Sequence, residues 1–364
     1  MRVLVICDRR HTKLKPAINS FADSEIVYRD TDGISGYLSL IIRSFQQLLR
    51  SRPDVVIGSN AFPAVLALLI GRLSGSTVIW RIGGDWVTHR IKFRESYNNF
   101  NIVSVIKYSI LISLNEILFK TVDGMIVVNC DLKEKVLKKT DLPKHRVHIV
   151  RVPLRDSLLE SFQSIEIDPC DNKNIITVTN FDHYVKYSAM VDALPQIINL
   201  LKENEEYHYW IAGGGTYISE FNNHVRDSID ELSLLDRIHV CGHISDIVEF
   251  YELGDLMVYV SYSDGYPNVI IEAQAAGIPV IANGVGGIPN QIDDGRSGLL
   301  IPTPKSKTLH GKIREVFENP QLYQKLTHNA RSIVGKRNSY ENISKEYEKT
   351  INRIYDQCTE DNER

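Results

Sequence analysis

The chain has 364 residues, 43% of them hydrophobic and 24% charged, with 42 Lys and Arg against 45 Asp and Glu for a net charge of −3. That composition suits a soluble globular protein long enough for two domains, and excludes disordered and fibrous classes. The five cysteines, Cys7, Cys130, Cys170, Cys241 and Cys358, include no close pair, which speaks against a zinc site or a disulfide framework and for a reducing, cytosolic compartment.

The small net charge hides an asymmetry. Residues 1–160 hold 24 Lys and Arg against 15 Asp and Glu, a net of +9, and the remainder holds 18 against 30, a net of −12. A basic half beside an acidic half suggests an anionic acceptor or an anionic membrane surface on the N-terminal side.

Taken in chain order, residues 1–7 form an apolar strand-like run stopped by Asp8, too short for a signal peptide's core. Runs at 55–58, 77–80 and 124–128 read as further buried parallel strands, with helical patterns at 39–49, 63–73 and 103–119 between them. That alternation predicts a first doubly wound sheet. After the first strand, a basic loop with Arg9 and Arg10 stands where such folds often carry a glycine-rich turn, which makes both candidate anion ligands or simply solvated charges. Gly83-Gly84-Asp85 ends the strand at 77–80, so Asp85 and His89 are expected at its carboxyl edge, where Asp85 either faces a cleft between domains or caps the following helix. The segment 102–119 has a narrow polar stripe of Ser109, Ser113, Glu116 and Lys120, as a well-buried helix or one lying partly in lipid would. It falls short of a membrane span, being broken by Lys107, Asn115 and Glu116.

Residues 161–173 lose periodicity and read as a linker. A second alternation follows, with strands at 175–178, 207–212, 238–240 and 256–260 and a helix at 189–201. A last helix at 340–355 precedes a polar tail at 358–364 that is expected to fray. Gly213-Gly214-Gly215 follows a strand, but the third glycine of a dinucleotide fingerprint is replaced by Ile218, so the turn reads as a tight strand-to-helix connection.

The most informative stretch is 256–282. Asp264-Gly265 stops a buried strand, Pro267 suits a helix's first turn, and Val269, Ile270, Ala273 and Ala276 give an apolar stripe closed by Gly277. Such a loop places unpaired N–H groups and a helix dipole at the carboxyl edge of a parallel sheet, where anions bind. The carboxylates of Asp264 and Glu272 frame that point with seven residues between them, and they would repel a phosphate they touched. They suit neutral hydroxyls on either side of it, and hydroxyls, phosphate and hydroxyls in series describe a nucleotide sugar.

Asp264-Gly265-Tyr266-Pro267 with Glu272, then 276–280 (AGIPV), Gly286-Gly287-Ile288-Pro289 and 294–300 (DGRSGLL), resembles the donor-binding half of retaining glycosyltransferases of family four. The resemblance implies an α/β GT-B fold of two doubly wound Rossmann-like domains facing a deep interdomain cleft. It sets an acceptor-side domain at 1–165, a nucleotide-sugar domain at 173–338 and a C-terminal helix at 339–357 that returns to the first domain. It further implies transfer of a hexose from a nucleotide diphosphate sugar to a glycan or lipid-linked acceptor in cell-surface polysaccharide or glycolipid biosynthesis, on the cytoplasmic side, with no metal or cofactor. Lys186 matches the family's phosphate-binding lysine and Glu272 its ribose-binding glutamate. Gly265, Tyr266, Pro267, Asn268, Val269, Gly213, Gly214 and Asn180 would complete the donor site, while Lys186, Asp264 and Asp85 would serve the chemistry and Arg9, Arg10 and His89 the acceptor. Four departures stand out: Asp264 for the usual Glu, Asn180 and Phe181 where an arginine is common, Gly83-Gly84-Asp85 where a histidine is common, and Asn290 for a frequent Glu. They leave a sugar-nucleotide epimerase and a non-catalytic nucleotide-sugar-binding subunit as alternatives.

Overall fold

The computed structural model describes residues 1–8, 14–21, 23–31, 33–83, 101–154, 156–165, 173–229 and 232–363. The chain divides into two units, Met1–Pro153 with Tyr340–Arg364, and Leu154–Ser339.

The first unit is built on strands β1 (Val3–Cys7), β2 (Glu25–Tyr28), β3 (Val55–Ser59), β4 (Thr77–Ile82), β5 (Gly124–Val127) and β6 (Val147–Ile149). They form one sheet in the order β2-β1-β3-β4-β5-β6, parallel at every pairing. Helices α1 (Pro16–Asn19), α2 (Ile34–Arg50), α3 (Ala61–Ser74), α4 (Ile102–Thr121) and α5 (Cys130–Leu137) connect them. Every residue of β1, β3 and β5 is buried, as a strand covered on both faces requires. Alternate residues serve opposite layers: Val3, Val5 and Cys7 join one core, and Leu4 and Ile6 join a second with Leu40, Leu66 and Ile70.

The second unit repeats the plan with β7 (Lys173–Val178), β8 (Tyr207–Ala212), β9 (Ile238–Gly242), β10 (Leu256–Tyr259), β11 (Val280–Asn283) and β12 (Leu299–Ile301). Their order is β12-β11-β10-β7-β8-β9, again all parallel. Its helices are α6 (Asp156–Gln163), α7 (Tyr184–Glu203), α8 (Ile218–Asp227), α9 (Leu232–Leu235), α10 (Ile247–Glu252), α11 (Asn268–Ala276), α12 (Thr308–Glu318) and α13 (Pro320–Arg337). Helix α6 packs into this unit, with Phe162 edge-on to Tyr251 at 5.1 Å between ring centres.

The helix expected at 189–201 starts five residues earlier, at Tyr184, and runs through Pro195. An interior proline costs about 3 kcal/mol in a free helix. Here burial of Leu194, Ile197, Ile198 and Leu201 outweighs it, at about 1.5–3 kcal/mol for each side chain fully removed from water.

The chain returns to the first unit in helix α14 (Tyr340–Glu363). Ile343, Tyr347, Ile351, Ile354 and Cys358 fall on one stripe and join the core of β1, β3 and β5. Gly124 opens the space for it, since a Cβ there would lie 2.6 Å from Ile354 Cγ2. The tail expected to fray after 357 is therefore helical: Cys358 is buried, and Asp361 pairs with Arg146.

Candidate functional site

All the candidate donor residues lie in the second unit, at or just beyond the carboxyl ends of its strands. Two groups form, one around β7 and β8 and one between β10 and α11.

In the first, β7 and β8 end in segments pressed onto one another. Gly213 has φ of +142° and a Cβ there would meet Thr179 O at 1.8 Å; Gly215 has φ of +135° and a Cβ would meet Asp182 N at 2.3 Å. Only glycine permits this approach, and the backbone bonds Phe181 N to Gly214 O and Gly213 N to Gly242 O lock it. Asn180 Oδ1 accepts from Asp182 N at 2.8 Å, and Asp182 Oδ1 accepts from Thr216 N and Oγ1 at 2.9 and 3.1 Å. These loops wall a pocket of about 590 Å³ whose lining includes Asn180, Gly213 and Gly214 with Thr179, His243 and Ile247. Thr179 is 7% exposed, and its hydroxyl meets no hydrogen-bond partner among the described residues.

In the second group, the 260–267 loop is held at both ends. Asn283 exchanges two bonds with Ser261, both 2.9 Å, and Gln291 Nε2 donates to Pro267 O at 2.9 Å. Gly286, at φ of +57°, would put a Cβ 1.9 Å from Asp264 O, and Gly287 N donates to that same oxygen at 3.1 Å. Tyr266 is buried, its hydroxyl accepting from Asn338 Nδ2 at 3.2 Å, and Pro267 is buried before the first turn of α11. Gly265 and Val269 are half-buried, as is Asn268, whose Oδ1 is itself buried with no partner among the described residues.

Lys186, on the first turns of α7, meets Asp264 at 2.8 Å, although 78 positions separate them in sequence. Both are mostly buried, and Lys186 Nζ also lies 5.6 Å from the centre of the Tyr259 ring. Tyr259 donates to Asp264 Oδ2 at 2.6 Å. Tyr251 does the same for Glu272, donating to Oε2 at 3.1 Å and approaching Val269 O at 3.3 Å. Burial first, and then the neighbouring carboxylate, raises each of these phenols well above the ordinary 10, so both stay donors across neutral pH. Each of the two framing carboxylates thus rests on a fully buried tyrosine. Sequence reading did not single out these tyrosines; the one signal was a tyrosine inside the otherwise apolar run of β10, whose hydroxyl needs a partner.

Lys186, Asp264 and Glu272 are not part of the pocket lining. Arg9, Arg10, Asp85 and His89 lie outside the described residues. Among the described residues no group of three or more His, Cys, Asp or Glu is placed to hold a metal ion.

Residues 160–333 match the family described as glycosyl transferases group 1. This segment belongs to that glycosyltransferase family. The group 1 segment coincides with nearly all of the second unit and contains both framing carboxylates, Lys186 and the pocket. Similar proteins include the capsular polysaccharide biosynthesis glycosyltransferase CapM of Staphylococcus aureus, 30% identical over 131 residues, covering 35% of this chain and 34% of CapM. N-acetyl-alpha-D-glucosaminyl L-malate synthase of Bacillus anthracis is 25% identical over 176 residues, 48% of this chain and 44% of that enzyme. The chain thus aligns with less than half the length of these relatives. In fold the match is broader. Anabaena Alr3699/HepE in complex with UDP and glucose aligns at a TM-score of 0.67 over 96% of this chain and 99% of that one, with 15% identity. Sucrose-phosphate synthase from Thermosynechococcus elongatus gives 0.71 over 99% of both chains, also at 15% identity. The two six-stranded parallel sheets and the returning α14 are those of the GT-B fold.

Proposed function

We propose that the protein is a retaining glycosyltransferase that moves a hexose from a nucleotide diphosphate sugar to a glycan or lipid-linked acceptor in polysaccharide or glycolipid synthesis. The observation that carries this reading is that Lys186 of α7 meets Asp264 in the loop between β10 and α11, with Glu272 on α11, inside a group 1 segment. The solved relative that holds UDP and glucose lends support to a nucleotide sugar as donor.

In this reading the nucleoside enters the β7–β8 pocket, where Val178, Ile244 and Ile247 offer apolar surface and Thr179 an unused hydroxyl. Glu272 accepts from ribose hydroxyls and Asp264 from a sugar hydroxyl, each carboxylate oriented by its tyrosine. Lys186 and the N–H groups that open α11 meet the diphosphate. As the bond from sugar C1 to the diphosphate oxygen breaks, negative charge grows on the departing phosphate, and a fixed ammonium beside a helix N-terminus stabilises that charge without reorganisation. The acceptor oxygen forms the new bond on the same face of C1 and passes its proton to the departing phosphate. The protein supplies binding and electrostatics, and transfer is expected to proceed in a chelator.

The test is incubation of the full chain with a panel of nucleotide sugars, reading nucleotide diphosphate release with and without candidate saccharide and lipid acceptors, in buffer containing EDTA. Acceptor-dependent release with an α-configured product from an α-configured donor is expected. Isomerisation of the donor sugar without an acceptor would point to an epimerase, and binding without any turnover to a non-catalytic subunit; either overturns the proposal.

A further inference from the structure

Large apolar side chains left in water cluster on one layer of the first unit. Of the fifteen exposed at the surface among the described residues, eleven belong to α2, α3 and α4, and α3 packs against both of its neighbours. Helix α2 turns Leu40 and Ser44 to the core, yet Ile34, Leu38, Ile42 and Leu49 recur at helical spacing on its outer side at 54–86% exposure. Leu69 and Leu73 continue the pattern on α3. Helix α4 reverses ordinary amphipathicity: Asn115 is buried while Ile106, Ile110 and Ile117 face solvent, each at least half exposed. By length and composition α4 is long and apolar enough to cross a membrane, contrary to the expectation that Lys107, Asn115 and Glu116 break it, and Asn115, Leu118 and Phe119 are its buried residues. Scattered exposed leucines need no explanation, but three adjacent helices each presenting an apolar stripe make a patch of the kind that binds something.

Charge selects the occupant. The three helices carry Arg43, Arg50, Arg72, Lys107 and Lys120 against Glu116. Counting Asp30 and Asp123, which pair with Arg43 and Arg72, the face stays positive, and residues 1–160 hold the +9 excess. A second copy docking through the same face would set like charge against like. An anionic bilayer complements both properties, with headgroups drawing in the cations and the acyl boundary receiving the isoleucines and leucines.

We propose that the outer face of α2, α3 and α4 docks the protein onto an anionic lipid bilayer. The face lies in the first unit, so this reading stands apart from donor chemistry in the second. Each Lys or Arg close to such a surface strengthens binding about fivefold, and screening by salt removes that gain.

The experiment is co-sedimentation of the full chain with vesicles of phosphatidylglycerol and phosphatidylcholine, or of phosphatidylcholine alone, at about 0.05 and 0.5 M salt, with nucleotide-sugar binding measured in parallel. Binding to the anionic vesicles at low salt is expected, weakened at least tenfold by high salt and by the exposed pair Leu38→Asp and Ile110→Asp, with circular dichroism and donor binding unchanged. The charge pair Lys107→Glu and Lys120→Glu should weaken binding by a similar factor without touching the apolar stripe. A protein that stays in the supernatant, binds both vesicle types equally, or binds undiminished after both pairs of changes overturns the proposal. So does a dimer in light scattering that Leu38→Asp and Ile110→Asp dissociate.

Discussion

A carboxylate that must accept a sugar hydroxyl has to be aimed, and two neighbours hold Asp264 in place. Lys186 supplies the opposite charge at 2.8 Å, and Tyr259 supplies a buried hydroxyl at 2.6 Å. Their removal should have different signatures. Tyr259→Phe keeps the ring and its packing and deletes one hydrogen bond to a charged group, about 1.5–3 kcal/mol of local interaction. If Asp264 reads the sugar, KM for the nucleotide sugar rises about tenfold while affinity for the free nucleotide diphosphate, which has no sugar, stays within a factor of two. A purely structural role for Tyr259 would instead weaken binding of both ligands together, and isothermal titration of the two ligands separates the cases. Lys186→Ala should act on the other quantity: charge on the leaving phosphate is greater in the transition state than in the ground state, so kcat falls by about 100-fold with a smaller change in KM. An unchanged kcat with a raised KM would remove Lys186 from the chemistry.

Elements rather than residues decide whether the pocket exists. Its walls include two strand-to-helix connections, after β7 and β8, that touch backbone to backbone, and Gly213 is the tightest point of contact. Gly213→Ala would combine a conformation that L residues rarely adopt with a 1.8 Å approach to Thr179 O. The two connections must then separate, and nucleotide affinity should fall more than tenfold. Gly75→Ala is the matched control, because Gly75 has φ of +73° with nothing within 4 Å of its Cβ. It ends α3 in the first unit and should cost about 1 kcal/mol of stability while leaving nucleotide affinity intact. Equal losses of affinity in both variants would show a general effect of glycine replacement and no special wall at Gly213. What the sequence made legible follows the same division. Strands buried on both faces, such as β1, β3 and β10, show as unbroken apolar runs. The edge strand β2, buried only at Val27, and the three-residue β6 and β12 do not, because half-exposed or very short strands leave no periodic signal. The loop of Asp264 and the helix after it were legible from turn and helix chemistry, whereas the pairing of Lys186 with Asp264 and the tyrosines beneath the two carboxylates depend on how distant strands stack.

At the scale of the whole chain, stability against pH offers a test of the second unit that needs no substrate. Asp255, at the turn into β10, accepts from Asn174 N at 2.8 Å, and its own N–H donates to Asn174 O, tying β10 to the start of β7. Burial pushes its carboxyl up from 3.8 to about 6, with the Asn174 N–H opposing the rise. The native unit therefore keeps a proton that the unfolded chain gives up as pH rises between those values. Stability falls across that window, and above it the charged, half-buried carboxylate remains a standing penalty. Taken in full, a rise of that size would cost about 3 kcal/mol at neutral pH, and partial exposure with solvent screening reduces the cost to about 1 kcal/mol. Asp255→Asn keeps an oxygen to accept from Asn174 N and removes the charge. Thermal unfolding at pH 7.5 should therefore show the variant about 2–4 °C more stable than the parent, the gain shrinking toward zero as pH approaches 4. A variant less stable at pH 7.5, or a gain that does not vary with pH, would mean that the ionised carboxylate is itself the better partner for Asn174 and that its burial carries no net penalty.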